Sequence, residues 1–119
     1  MRKVEEGVQR AIVTYLGWVV PHGLVFAIPN AAVRAHRYAR AGNAVPGLYK
    51  GFPDLGLIVD RVTYFFECKA PGGRTSSDQI SCHIKLAACG VRCAVVEDVE
   101  QVRLALAAWG VKTREARAA

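Results

Sequence analysis

The sequence predicts an α/β fold in which a small mixed β-sheet is flanked by helices, in the order α, β, a helix or loop, β, β, α, β, α. Three observations carry this. Val4, Val8, Ala11, Ile12, Tyr15 and Leu16 recur at helical spacing near the start. Two short apolar runs, Leu55-Gly56-Leu57-Ile58-Val59 and Val62-Thr63-Tyr64-Phe65-Phe66, are separated only by the polar pair Asp60-Arg61, as in a tight hairpin. Further on, Thr75-Ser76-Ser77-Asp78 supplies helix N-caps before a segment that stops at Gly90.

The first helix is expected over residues 3–17, with Gly17 near its end. At 100° per residue Glu5 flanks the apolar face and Glu6 faces solvent. A strand is expected at 24–28, followed by Pro29-Asn30 and a basic, alanine-rich segment, 31–40, which reads either as a helix or as a loop. It holds Arg34, His36, Arg37 and Arg40, suited to phosphates, although a solvated charged face is the ordinary alternative. Gly42, Pro46, Gly47 and Gly51 mark a loop before Asp54, from which Tyr49 and Lys50 can face a substrate. After the hairpin, Pro71-Gly72-Gly73-Arg74 is a turn, then come a helix over 77–88, a strand over 91–96 and a helix over 99–109 with Val102, Leu104, Leu106 and Trp109 mostly inward. Residues 112–119 read as a frayed tail.

The chain, 119 residues, is one domain, with room for a modest core. Its 16 Lys and Arg against 10 Asp and Glu give a net charge of +6, which favours a polyanionic partner such as nucleic acid. Residues 11–33 lack Asp, Glu, Lys and Arg, but Pro21-His22-Gly23 and Pro29-Asn30 break them too often for a membrane span. The start has charges of both signs and no signal-peptide pattern, so a cytoplasmic protein is expected. Cys68, Cys82, Cys89 and Cys93 form no CxxC pair, which argues against a zinc ribbon or a thioredoxin-like motif and for small core residues.

The chemistry concentrates at Asp54 and Glu67-Cys68-Lys69. Alternate residues of a strand share a face, so Glu67 and Lys69 project together, with Cys68 turned toward the face of Phe66 and Tyr64. Antiparallel pairing across the hairpin places Asp54, at the start of one strand, beside Glu67 at the end of the other. Two carboxylates and water suit Mg²⁺ or Mn²⁺. The ordinary alternative is an exposed Glu–Lys pair on an edge strand, worth less than about 1 kcal/mol.

These residues resemble the PD-(D/E)xK nuclease superfamily, and within it the VRR-NUC (virus-type replication-repair nuclease) domain of stand-alone viral or bacterial type. The resemblance runs along nearly the whole chain: a glutamate before Val8-Gln9, Ile28-Pro29-Asn30, Pro46-Gly47 before Phe52-Pro53-Asp54, Phe66-Glu67-Cys68-Lys69, then Gln79 with Leu86 and Gly90. It implies a restriction-endonuclease-like core and a metal-dependent DNA endonuclease leaving 5′-phosphate and 3′-hydroxyl ends. Asp54, Glu67 and the Cys68 backbone carbonyl would bind the metal, and Lys69 would act on the attacking water. Glu5, by its spacing to Val8-Gln9, would bind metal or orient water, and Gln79 would complete the site. Asn30, Arg34, Arg37, Arg40, Lys50, Arg74 and His83 are the candidate DNA contacts. Compact proteins of this type resemble Holliday-junction resolvases acting as homodimers. Flap or restriction-type cleavage by the same chemistry, and a non-catalytic nucleic-acid-binding module, are the alternatives.

Overall fold

The computed structural model describes residues 2–30 and 46–115. The expectations for Arg34, His36, Arg37, Arg40 and Gly42 fall outside them. The order is α1 (Arg2–Val19), β1 (Leu24–Ala27), β2 (Leu55–Val59), β3 (Val62–Cys68), α2 (Ser77–Ala88), β4 (Arg92–Val96) and α3 (Val99–Ala108). Among the described residues the fold is α/β, a small mixed four-stranded sheet flanked by three helices, and is compatible with a restriction-endonuclease-like core.

Helix α1 runs past Gly17, because Val19 and Val20 are fully buried and packing carries the helix to the residues before Pro21. Its buried face comprises Ile12, Leu16 and Val19, with Val8 and Tyr15 at the margin. Val4, expected inward, is 51% exposed: its phase is right, but it lies beyond the point where the helix meets the core. Glu5 is half-buried and Glu6 exposed, the difference that the helical phase predicts.

The strands lie in the order β1-β2-β3-β4. β1 pairs antiparallel with β2, β2 antiparallel with β3, and β3 parallel with β4. The hairpin closes on Val59 opposite Val62, with Asp60 and Arg61 at φ of 50° and 69°. Positive φ at both central residues marks the primed turn whose twist matches the strands it joins. The parallel β3–β4 pair needs a crossover, and α2 supplies it.

Period-two alternation divides the sheet into two faces. Leu55, Leu57, Val59, Tyr64, Phe66 and Cys68 meet α1 and α3 in the main core, where Trp109 stacks on Tyr64 at 5.0 Å between ring centroids. On the opposite face Phe26 lies over Gly56, where a Cβ would stand 2.1 Å from its ring. Phe65 makes edge contacts there with Phe26 and with Phe52, at 6.4 and 5.0 Å.

Ser76 caps α2 through a capping box: its hydroxyl accepts from the Gln79 amide at 3.2 Å, and the Gln79 side chain accepts from the Ser76 amide at 2.9 Å. In α3 the buried stripe is Val102 and Leu106, and Leu104 is 54% exposed instead of inward. Two residues from each of them, it sits about 200° around the helix. Cys89 is likewise exposed, because it caps the C-terminal end of α2 where the chain leaves the core, whereas Cys68 and Cys82 are buried. The tail begins docked rather than frayed: Tyr15 donates to Glu115 Oε2 at 2.8 Å, and the Arg114 guanidinium lies over Trp18. Among the described residues no helix is long and apolar enough to cross a membrane.

Candidate active site

The hairpin register sets the site. Leu55 faces Phe66, so the residue before β2 comes level with Glu67. Asp54 Oδ2 accepts a hydrogen bond from the Cys68 amide at 2.9 Å, and the Asp54 carbonyl accepts from Ile28 N at 2.8 Å. The loop leading into Asp54 is held at two further points. Asn30 Nδ2 donates to the Phe52 carbonyl at 2.7 Å. Gly51, at φ +78°, lies against the first turn of α2.

Glu67 and Lys69 are the buried charged residues among those described, 1% and 7% exposed. They project from the face opposite Phe66 and Cys68, beneath α2. Gln79 Nε2 donates to Glu67 Oε2 at 3.0 Å, and Lys69 Nζ stands 3.9 Å from the same oxygen. The other oxygen, Oε1, is buried with no hydrogen-bond partner among the described residues, and His83 Nε2, equally unpartnered, faces it at 3.9 Å. The capping glutamine of α2 thus also holds the central carboxylate.

Burial pushes the Glu67 carboxyl up to about 9, reinforced by the hydrogen bond and negative charge of Asp54 and by Glu5, and opposed in part by Lys69. Lys69, 3.9 Å away, does not offset the burial. Two adjoining carboxyl groups, one raised by burial and by its neighbour, are a donor set suited to a hard cation. Among the described residues no three His, Cys, Asp or Glu side chains converge on one point. A cation on Asp54 and Glu67 would therefore complete its shell with backbone carbonyl, water and substrate oxygens, the habit of Mg²⁺ and Mn²⁺.

The structure brings together Asp54, Glu67, Lys69 and Gln79. Glu5 contributes charge at Glu67 but closes no three-carboxylate cluster. Lys50 and Arg74 are exposed, as surface contacts must be. Asn30 uses its amide as a brace within the fold. His83, expected as a DNA contact, turns its imidazole to Glu67, where burial and Lys69 lower its pKa. Its position one turn after Gln79 is the signal that could have placed it there. Glu97 was not anticipated: its Oε2 accepts from the Gly72 amide at 2.8 Å and ties down the turn that follows Lys69.

No family model matches the chain, and no curated protein matches it at a significant level. Geometry and residue chemistry alone therefore bear on the function.

Proposed function

We propose that the protein is a Mg²⁺- or Mn²⁺-dependent DNA endonuclease that hydrolyses phosphodiester bonds. The observation that carries this is Glu67, a buried carboxyl hydrogen-bonded to Gln79, beside Asp54 and Lys69. Asp54, Glu67 and the Cys68 carbonyl would hold the cation, with Glu5 adding negative charge nearby. When bound, the cation supplies positive charge to a phosphate oxygen and acidifies water. The Cys68 amide holds Asp54, and Gln79 holds one oxygen of Glu67, which limits how far either group has to reorganise when substrate arrives. Lys69, 3.9 Å from Glu67, would orient the attacking water and offset negative charge growing on the phosphate.

The net charge of +6 favours a DNA backbone as partner, engaged in part by Lys50, Arg74 and the arginines of residues 31–40. We extend the reading to a four-way junction cut by a homodimer, whose two-fold axis would set two sites across the branch, acting in the cytoplasm of a bacterial or phage-infected cell.

The test incubates the protein with labelled four-way junction, flap and linear duplex in Mg²⁺, Mn²⁺ or EDTA, alongside Glu67→Ala and Lys69→Ala. Cutting that persists in EDTA, or full activity in both variants, would sink the mechanism. Symmetric paired nicks confined to the junction select the resolvase. Cutting at flaps or in linear duplex selects the other nucleases, and binding without cleavage selects a non-catalytic module. Light scattering decides between monomer and dimer.

A further inference from the structure

We infer that His83 is a positioning residue for Glu67, acting through one water molecule held between His83 Nε2 and Glu67 Oε1, and that cation affinity at the Asp54–Glu67 pair depends on it. The inference rests on the cation-binding reading of that pair.

Both atoms are buried and unpartnered among the described residues, and they face each other at 3.9 Å. That is too long for a direct hydrogen bond, which closes near 3 Å, yet a single water can reach both at ordinary distances. Leaving a buried carboxylate oxygen and a buried ring nitrogen both unsatisfied is costly, so the pair calls for an occupant. Water fits the gap, because it can hydrogen-bond to both polar atoms at once.

The two carboxylate oxygens are then held separately from one helix. Gln79 takes Oε2 directly, and His83, one turn further along α2, takes Oε1 through the water. With only the Gln79 hold, the carboxylate swings about its side-chain torsions and presents a less defined donor to the cation. Such outer partners typically govern metal affinity by about 10- to 100-fold. His83 also lines an open cleft of about 360 Å³ with Arg92, Cys93 and Trp109.

The test is calorimetric titration of the full chain with Mn²⁺, without DNA, for wild type, His83→Ala, His83→Gln and Glu67→Gln, with thermal unfolding in EDTA run in parallel. We expect His83→Ala to weaken Mn²⁺ binding about tenfold or more, with unfolding little changed, and His83→Gln, which restores a polar group at similar reach, to recover most of the loss. Should His83→Ala not fold, His83→Leu takes its place, keeping bulk without hydrogen bonding. Wild-type affinity in the alanine or leucine variant overturns the inference and leaves the cation site standing. A glutamine variant as weak as alanine overturns the water bridge. Failure of wild-type protein to bind Mn²⁺ any better than Glu67→Gln removes the cation site itself, and the inference with it.

Discussion

Gly51 approaches the first turn of α2 so closely that a Cβ on it would stand 2.4 Å from the carbonyl carbon of Asp78. This contact joins the two halves of the candidate site, because Gly51 begins the run into Asp54 and Asp78 precedes Gln79. Gly51 also sits at φ +78°, which side-chain-bearing residues adopt reluctantly. Gly51→Ala should therefore cost about 2 to 4 kcal/mol, combining backbone strain and overpacking, and should lower metal-dependent cleavage. Gly47 has a similar φ of +83° with nothing within 4 Å. Gly47→Ala should then show strain alone, about 1 to 2 kcal/mol. Urea unfolding of both variants measures the difference, and equal losses would deny the close approach any weight.

The pH dependence of stability should expose Glu67. Folded, it keeps its proton up to about 9, against an ordinary value of 4.5. Between those values the folded chain binds more protons than the unfolded one, so the contribution of Glu67 is whole below the unfolded value and is lost as pH rises through the folded one. In EDTA, stability should fall from about pH 5 to about pH 9, with a slope from this group of at most about 1.4 kcal/mol per pH unit. Glu67→Gln should flatten the slope. Mn²⁺ should do the same, because its binding strengthens as the carboxyl deprotonates. Denaturant midpoints across that range, with and without metal, decide it.

Asn30 separates two roles that sequence could not. As a DNA contact, its loss would weaken DNA binding. As the brace on the Phe52 carbonyl at 2.7 Å, its loss should cost about 0.5 to 1.5 kcal/mol of stability. We expect Asn30→Ala to lower the cleavage rate by loosening the loop before Asp54, while junction affinity in EDTA stays at the wild-type value. Fluorescence anisotropy reads that affinity, and a clear loss there would return Asn30 to the DNA-contact class.

Much of the site was legible because two periodicities are rigid. A two-residue turn at Asp60-Arg61 fixes the register, and that alone brings Asp54 level with Glu67. The i+2 rule separates Glu67 and Lys69 from the buried Phe66 and Cys68. The cap residues Thr75-Ser76-Ser77-Asp78 and the stop at Gly90 locate α2. Periodicity does not say where along a helix the packing partner ends, which is why Val4 has the phase of the inward face although the core begins at Val8. Nor does it say which way α2 lies across the sheet, so the approach of His83 to Glu67 has no local signal beyond its spacing from Gln79. The closeness of Gly51 to Asp78 depends on two segments far apart in sequence, and no local pattern reports it.

Helical phase makes its sharpest claim at the adjacent glutamates of α1. Glu5 is half-buried and its charge raises the proton affinity of Glu67, whereas Glu6 is exposed to solvent. Removing a nearby negative charge weakens the attraction of the carboxylate pair for a divalent cation, and a screened, solvent-facing charge has little such effect. Glu5→Gln should therefore weaken Mn²⁺ binding and slow cleavage, by about tenfold if Glu5 acts as an outer partner of the metal site. Glu6→Gln should leave both near wild type. The same substitution one position apart controls for helix propensity and net charge, so titration calorimetry and single-turnover cleavage on the pair isolate position alone. Equal effects from both variants would mean that Glu5 acts only through the overall field of the helix.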